Sequence, residues 1–278
     1  MKLIKPSVEI IKQEEYDLNH IFKFIELAGR TCYKSEDKIT EDSAKEFVDR
    51  MIKSGHGAML EHGTVYLTIH NKNISRSLLI YNYEINPYSK VVNTDDYIYI
   101  TTNYRVIIEN NWNEHLKYIT APSEFHAKRT TVKFICDRGV SHEFVRHRVF
   151  SFAQESTRYC NYTKDKFNNE VTFIIPCWIK DLEEGNYYAY CEYHNSKNDA
   201  SKRWFDSCMS SEFVYTNLIE EGWKPQEART ILPNSLKTEL IMTGFNDDWE
   251  NFFELRCAPN AHPQAKELAD MLKDKFNK

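Results

Sequence analysis

Apolar residues recur at helical spacing through residues 15–31, where Leu18, Ile21, Phe22, Ile25 and Ala28 share one face. The same spacing returns in Ala44, Phe47, Val48 and Met51. Thr40 is the expected cap of that second helix, Glu41 and Asp42 fill its first turn, and Gly55 stops it. The pattern then switches to alternation: Val65, Leu67 and Ile69 predict a strand over 63–70. Residues 71–126 are less regular, with a strand expected at 97–102 and a helix at 104–116. Thr130, Val132, Phe134 and Cys136 alternate along a further strand, 128–136.

Gly139 and Ser141 open a helix expected to run to about residue 148. A short strand over 171–175 ends at Pro176, and residues 184–221 read as one long helix or two. Pro225 starts another helix, and 236–245 fits either strand or helix. Asn246 is the expected cap of a short helix reaching about Cys257, and Pro263 begins the last one. Strands and helices mix without regular βαβ alternation. The expected class is therefore α+β, a mixed, largely antiparallel sheet packed with helices. No internal repeat or linker interrupts residues 1–278, so a single domain is expected.

Composition changes this picture little. The chain has 278 residues, 41% hydrophobic and 28% charged, which suits a soluble globular protein. A net charge of −5 argues against a general nucleic-acid-binding surface. No apolar run reaches the ~20 residues that span a bilayer, and residues 1–11 do not resemble a signal peptide. Seven scattered cysteines without a Cys-x-x-Cys pair point to buried thiols in a reducing cytoplasm.

Candidate chemistry concentrates in residues 146–159, Arg-His-Arg-Val-Phe-Ser-Phe-Ala-Gln-Glu-Ser-Thr-Arg-Tyr. Fixed guanidinium groups among aromatics point to a pocket for an anionic, partly aromatic ligand. At ~100° per residue, a helix through this region would group Val140, Phe144, His147 and Arg148, with Arg146 ~200° from Arg148. The structural alternative pairs Arg146 with Glu143 and lets Arg148 snorkel.

A second segment places Trp249, Phe252, Phe253 and Arg256 at i, i+3, i+4 and i+7. An arginine ending an apolar stripe must meet a carboxylate or a ligand, or else satisfy the last carbonyls of its helix. His56 and His62 lack zinc-helix spacing, and Ser156 lies outside any Gly-x-Ser-x-Gly elbow. Neither a Walker loop nor a Rossmann glycine turn is present. The interleaved arginines and aromatics would also suit single-stranded RNA, against which the acidic balance argues.

Arg-His-Arg at 146–148, seven residues, then Ser156 resembles the signature of the flavin-dependent thymidylate synthases. The resemblance extends in order through Ser54-Gly55-His56, Glu61-His62, Ala228-Arg229, Leu232-Pro233, Asn251 to Arg256, and His262. It implies conversion of dUMP to dTMP, with methylenetetrahydrofolate as carbon donor and FAD, re-reduced by NADPH, as hydride source. It implies a homotetramer with active sites shared between subunits.

By the same resemblance, Arg146, His147, Arg148 and Gln154 contact FAD, with Asn246 and Asn251 beside the flavin. His56 belongs to the folate and nicotinamide region. Glu143, Arg146, Gln154, Glu155, Ser156, Thr157, Arg158 and Arg229 hold dUMP, and Arg256 polarises the uracil. Ser156 lies near the pyrimidine without acting as a nucleophile. The chain departs from the family pattern at Glu143, where Gln is common, and at Gln154-Glu155, where Glu and a small or apolar residue are common. It also carries Ala58 in place of a hydroxyl residue and Asp247 where a base is frequent. Residues 71–126 look like an insertion.

Overall fold

A computed structural model describes residues 1–72, 76–188 and 199–277. The chain opens with β1 (Lys2–Ile4) and β2 (Ser7–Ile11), two strands too short to carry a readable period. Next come α1 (Leu18–Tyr33), α2 (Ser43–Lys53), β3 (Thr64–His70), α3 (Arg76–Glu84), β4 (Lys90–Asn93), β5 (Tyr97–Asn103) and α4 (Tyr104–Glu109). The middle of the chain supplies β6 (Arg129–Asp137), α5 (Arg138–Phe144), β7 (Ser151–Gln154), β8 (Thr172–Ile174) and β9 (Gly185–Asn186). The remainder is α6 (Asp199–Glu220), α7 (Pro225–Ala228), β10 (Lys237–Phe245), α8 (Asn246–Arg256) and α9 (Pro263–Phe276). The class is α+β, with one parallel pairing among the described residues, β1 to β8, beside antiparallel ones.

Local chemistry accounts for most boundaries. The Asp17 side chain accepts the His20 N–H at 3.0 Å and starts α1, which ends at Lys34 in a left-handed conformation. The expected Thr40 cap lies too early: α2 begins at Ser43, whose hydroxyl instead accepts the Thr40 N–H. Gly55, with φ of +71°, closes the turn after α2 as its missing Cβ allows. The helix expected over 104–116 breaks after Glu109, because Asn111 turns left-handed, and resumes as a 3₁₀ segment, Asn113–Tyr118. Residues 189–198, part of the helix expected over 184–221, lie outside the described residues.

The four-stranded sheet β2-β6-β10-β7 forms the centre. β10 settles the ambiguity of 236–245 in favour of a strand, paired with β6 from Lys237↔Asp137 to Phe245↔Arg129. Nearly every residue of β10 is buried, so neither period showed in its sequence. One face packs Val132, Phe134, Leu240 and Met242 against Phe144, Trp249, Phe252 and Leu268. Gly244 is required there, since a Cβ would overlap the Phe150 ring. A second sheet, β3-β5-β4, packs with α1, α2 and α4 around Ile21, Ile25, Phe47, Ile98 and Ile100. The third sheet, β8-β1-β9, packs with α6 around Leu3, Phe173 and Phe205. Among the described residues, no helix is long and apolar enough to cross a membrane.

Candidate functional site

Arg256 is the last residue of α8, whose Trp249, Phe252 and Phe253 are buried as their spacing predicts. Its guanidinium is held by three bonds. Nη1 donates to Glu143 Oε2 at 2.8 Å, Nη2 to the Glu143 carbonyl at 2.6 Å, and Nε to His147 Nε2 at 2.9 Å. The carboxylate partner expected for an arginine at this place is therefore Glu143, at the end of α5. Because Glu143 faces Arg256, it does not form the Arg146 pair that helical spacing offered. The bond from Arg256 holds the Glu143 carboxyl below its usual range.

His147 is buried between Phe252 and Phe150. Burial, and then the Arg256 charge, lower its pKa from 6.5 to about 4. A neutral ring accepting at Nε2 carries its proton on Nδ1. As pH falls between 6.5 and about 4, the unfolded chain takes up a proton here that the folded chain refuses. His147 therefore subtracts stability as that window is crossed downward. His147→Gln should lose less stability than the parent between about pH 7 and about pH 5, read as the shift in urea midpoint. An equal or larger loss would refute the neutral assignment.

The expected helix through residue 148 ends at Phe144. Val140, Phe144 and His147 are buried together as foreseen, but the chain turns after Phe144 and Arg148 leaves that face. Arg146 and Arg148 are both exposed. Among the described residues neither makes a hydrogen bond or ion pair, so both guanidinium groups are available to an anion.

Residues 151–154, unforeseen as a strand, form β7 along β10, with Gln154 opposite Leu240. The Gln154 amide donates to Ser141 at 2.8 Å and to Thr238 at 3.3 Å, which ties the segment to α5. Glu155 is 1% exposed, and its oxygens accept from Tyr162 OH and Lys237 Nζ. Both oxygens of this expected substrate contact are thus engaged by side chains of the protein itself. The half-buried Ser156 accepts the Arg158 N–H at 3.3 Å. Thr157 accepts from Arg229 Nη1 at 2.9 Å, the one hydrogen bond of that guanidinium among the described residues. Arg158 is exposed with its cation over the Tyr159 ring.

Asn246 accepts from Thr130 at 2.7 Å beside the start of α8, and Asn251 is exposed. α8 starts one residue earlier than expected, with Phe245 at the cap position and Asn246 as its first residue. His56 lies 3.4 Å from the Tyr33 hydroxyl, in a cleft of about 670 Å³ whose lining includes Arg30, Lys38, Arg50 and Lys166. Within one chain, α5 thus borders two groups: Glu143 with His147 and Arg256, and Ser141 with Gln154. Thr157 and Arg229 make a third.

Lys34, Lys237 and Glu239 were missed. Their signal was legible in Lys237-Thr238-Glu239, two charges entering an otherwise apolar strand, which burial obliges to pair.

The family model described as "Thymidylate synthase complementing protein" matches residues 17–82 and 91–278. A flavin-dependent thymidylate synthase of Pyrococcus furiosus is 30% identical over 173 residues, covering 61% of this chain and 64% of that protein. One from Corynebacterium aurimucosum is 21% identical over 262 residues, 88% of this chain and 71% of that protein. The match spans less than two thirds of the first relative and about half of its Pyrococcus horikoshii counterpart, 30% identical over 134 residues. A UMP/dUMP methylase from Streptomyces cacaoi, bound with 5-Br UMP, aligns over 99% of this chain and 91% of its own. Its identity is 14% and its TM-score 0.46, too low to carry an argument.

Proposed function

The chain belongs to the flavin-dependent thymidylate synthase family, and on that premise we propose that it methylates dUMP to dTMP. The carbon donor would be methylenetetrahydrofolate and the hydride source reduced FAD, regenerated by NADPH. The observation that carries this reading is the placement of Arg256, a guanidinium at the end of an apolar helix face beside a neutral histidine. A fixed positive group in a poorly solvated site stabilises negative charge developing on a uracil ring without reorganising. His147, neutral and bonded to Nε, keeps Arg256 aimed without competing for that charge.

The donor set suits FAD: among the described residues Arg146 and Arg148 are exposed and form no ion pair or hydrogen bond, which leaves their donors open to a pyrophosphate. Gln154, Asn246 and Asn251 would complete its surroundings, and bound there it would supply the hydride. Arg229, Arg158, Ser156 and Thr157 would take the nucleotide, and His56 with its cleft the folate and nicotinamide. Arg146, exposed after the end of α5, would serve the nucleotide as well as the cofactor. A homotetramer with shared sites would bring these groups together, in the cytoplasm, without membrane or nucleic acid. We take residues 1–278 as one domain and 71–126 as an insertion within it.

The test is an anaerobic assay with dUMP, methylenetetrahydrofolate and NADPH, with and without FAD. FAD-dependent dTMP formation is expected, and a colourless protein inert with FAD would sink the proposal. One observation favours a second reading, a flavoprotein acting on another pyrimidine nucleotide: a Glu143 carboxylate, not an amide, faces Arg256. Turnover confined to dCMP or UMP would replace dUMP as the substrate.

Ser156→Ala should retain activity within about tenfold of the parent, since its hydroxyl serves a local turn and binding rather than bond making. Complete loss with dUMP still bound would reinstate it as a nucleophile.

A further inference from the structure

We propose that Lys237 and Glu239 are positioning residues for the loop 155–159, which they hold against the end of α1 through a buried cluster of charges. The proposal rests on the reading that this loop carries the nucleotide. Lys237 and Glu239 stand two apart on β10 and so project from one face of the sheet. Lys237 Nζ bonds Glu155 Oε2 at 2.8 Å and Glu239 Oε1 at 2.5 Å. Glu239 also receives Lys34 Nζ at 2.8 Å, from the residue that ends α1, and Lys133 Nζ at 2.5 Å, from β6.

Three cations thus meet one carboxylate. Burial alone would raise the Glu239 carboxyl, but the lysine charges outweigh it and hold it far below the usual range. Glu36 completes the set by pairing with Lys34 at 2.9 Å.

The same residues anchor the loop backbone. The Glu155 N–H donates to the Glu239 carbonyl, and the Ser156 N–H to the Cys32 carbonyl, each at 2.9 Å. Arg138 reaches the Glu155 carbonyl at 3.5 Å. What remains outward is Ser156, half-buried, with Arg158 and Tyr159, both exposed. Where those side chains stand is therefore set by buried charges that pair with one another. The departure from the family pattern at Glu155 acquires a reason: in this chain that position is an anchor, matched by Lys237 on the neighbouring strand.

Removing one member of a buried pair strands the other, whereas removing both is often tolerated. This asymmetry separates positioning by charge from packing. In Lys237→Met, Glu155 is drawn toward water and the loop opens. In Glu155→Gln with Lys237→Met, no charge is stranded, and the glutamine oxygen still accepts from Tyr162.

Amide hydrogen exchange of the peptide 155–160 should rise at least about tenfold in the single variant and return to within about threefold in the double. The KM for dUMP should rise about tenfold in the single variant while kcat and FAD content hold, as expected when a binding loop is misplaced. Unchanged exchange in Lys237→Met, a uniform rise across the chain, or no recovery in the double variant would overturn the proposal. The exchange measurement needs no substrate. A parent enzyme inert toward dUMP would sink the proposed function while this arm still decides whether the charges hold the loop.

Discussion

Arg256→Ala should lower kcat by about 10²–10³-fold while FAD remains bound and the fold intact. The size follows from removing one preorganised charge from the place where negative charge develops. The specificity follows from the geometry. Arg256 bonds Glu143 and His147, and it touches neither Arg146 nor Arg148, the two guanidinium groups expected to hold the cofactor pyrophosphate. Its loss leaves the Glu143 side chain, 40% exposed, to water, while the buried His147 loses the donor to Nε2, a cost the urea midpoint would register. Three measurements check the result: steady-state dTMP formation, flavin absorbance of the purified variant, and its urea midpoint. Turnover near that of the parent would refute the polarising role. Loss of flavin together with turnover would move Arg256 from the substrate to the cofactor. Arg256→Lys should recover little, since a lysine cannot bond Glu143 and His147 from one planar fork.

The second large effect is on stability. Phe252→Ala should cost about 3–5 kcal/mol, the usual range for deleting a buried aromatic. Phe252 is fully buried and meets the rings of Phe144, Phe150, Trp249 and His147 at centroid distances of 5.1, 6.3, 5.3 and 5.0 Å. The cavity would open between β6, α5 and α8, the three elements that place Glu143, His147 and Arg256. Urea denaturation followed by tryptophan fluorescence should therefore show an early transition, and kcat should fall with it. A loss below about 1 kcal/mol would mean that the aromatic cluster closes over the gap.

Much of this was legible in the chain. The period of 3.6 in α1 and α2 and the alternation in β3 and β6 survive in the fold. The helices bury one face, and a half-buried element records its geometry in its polarity; in the strands the apolar residues alternate with polar or amphipathic ones even where both faces are covered, as in β3. β10 was ambiguous because, buried on both faces, it lacks that alternation. β7 was hidden inside the arginine segment because four residues are too few to set a period. The end of α5 at Phe144 changed the fate of Arg148, which helical geometry had grouped with His147.

The sequence by itself determined the residue types and their order: the Arg-His-Arg segment, the stripe that ends in Arg256, and the charged pair entering β10. Those depend on neighbours within a turn or two of helix or strand, where local geometry is nearly fixed. Only the tertiary structure decided who partners whom. Arg256 meets a glutamate 113 residues away rather than its own helix carbonyls. Glu155, buried, pairs with Lys237, 82 residues on. Partners so distant in sequence are chosen by the pairing of β6, β7 and β10 and by the charge each burial must neutralise, and no periodicity encodes that choice.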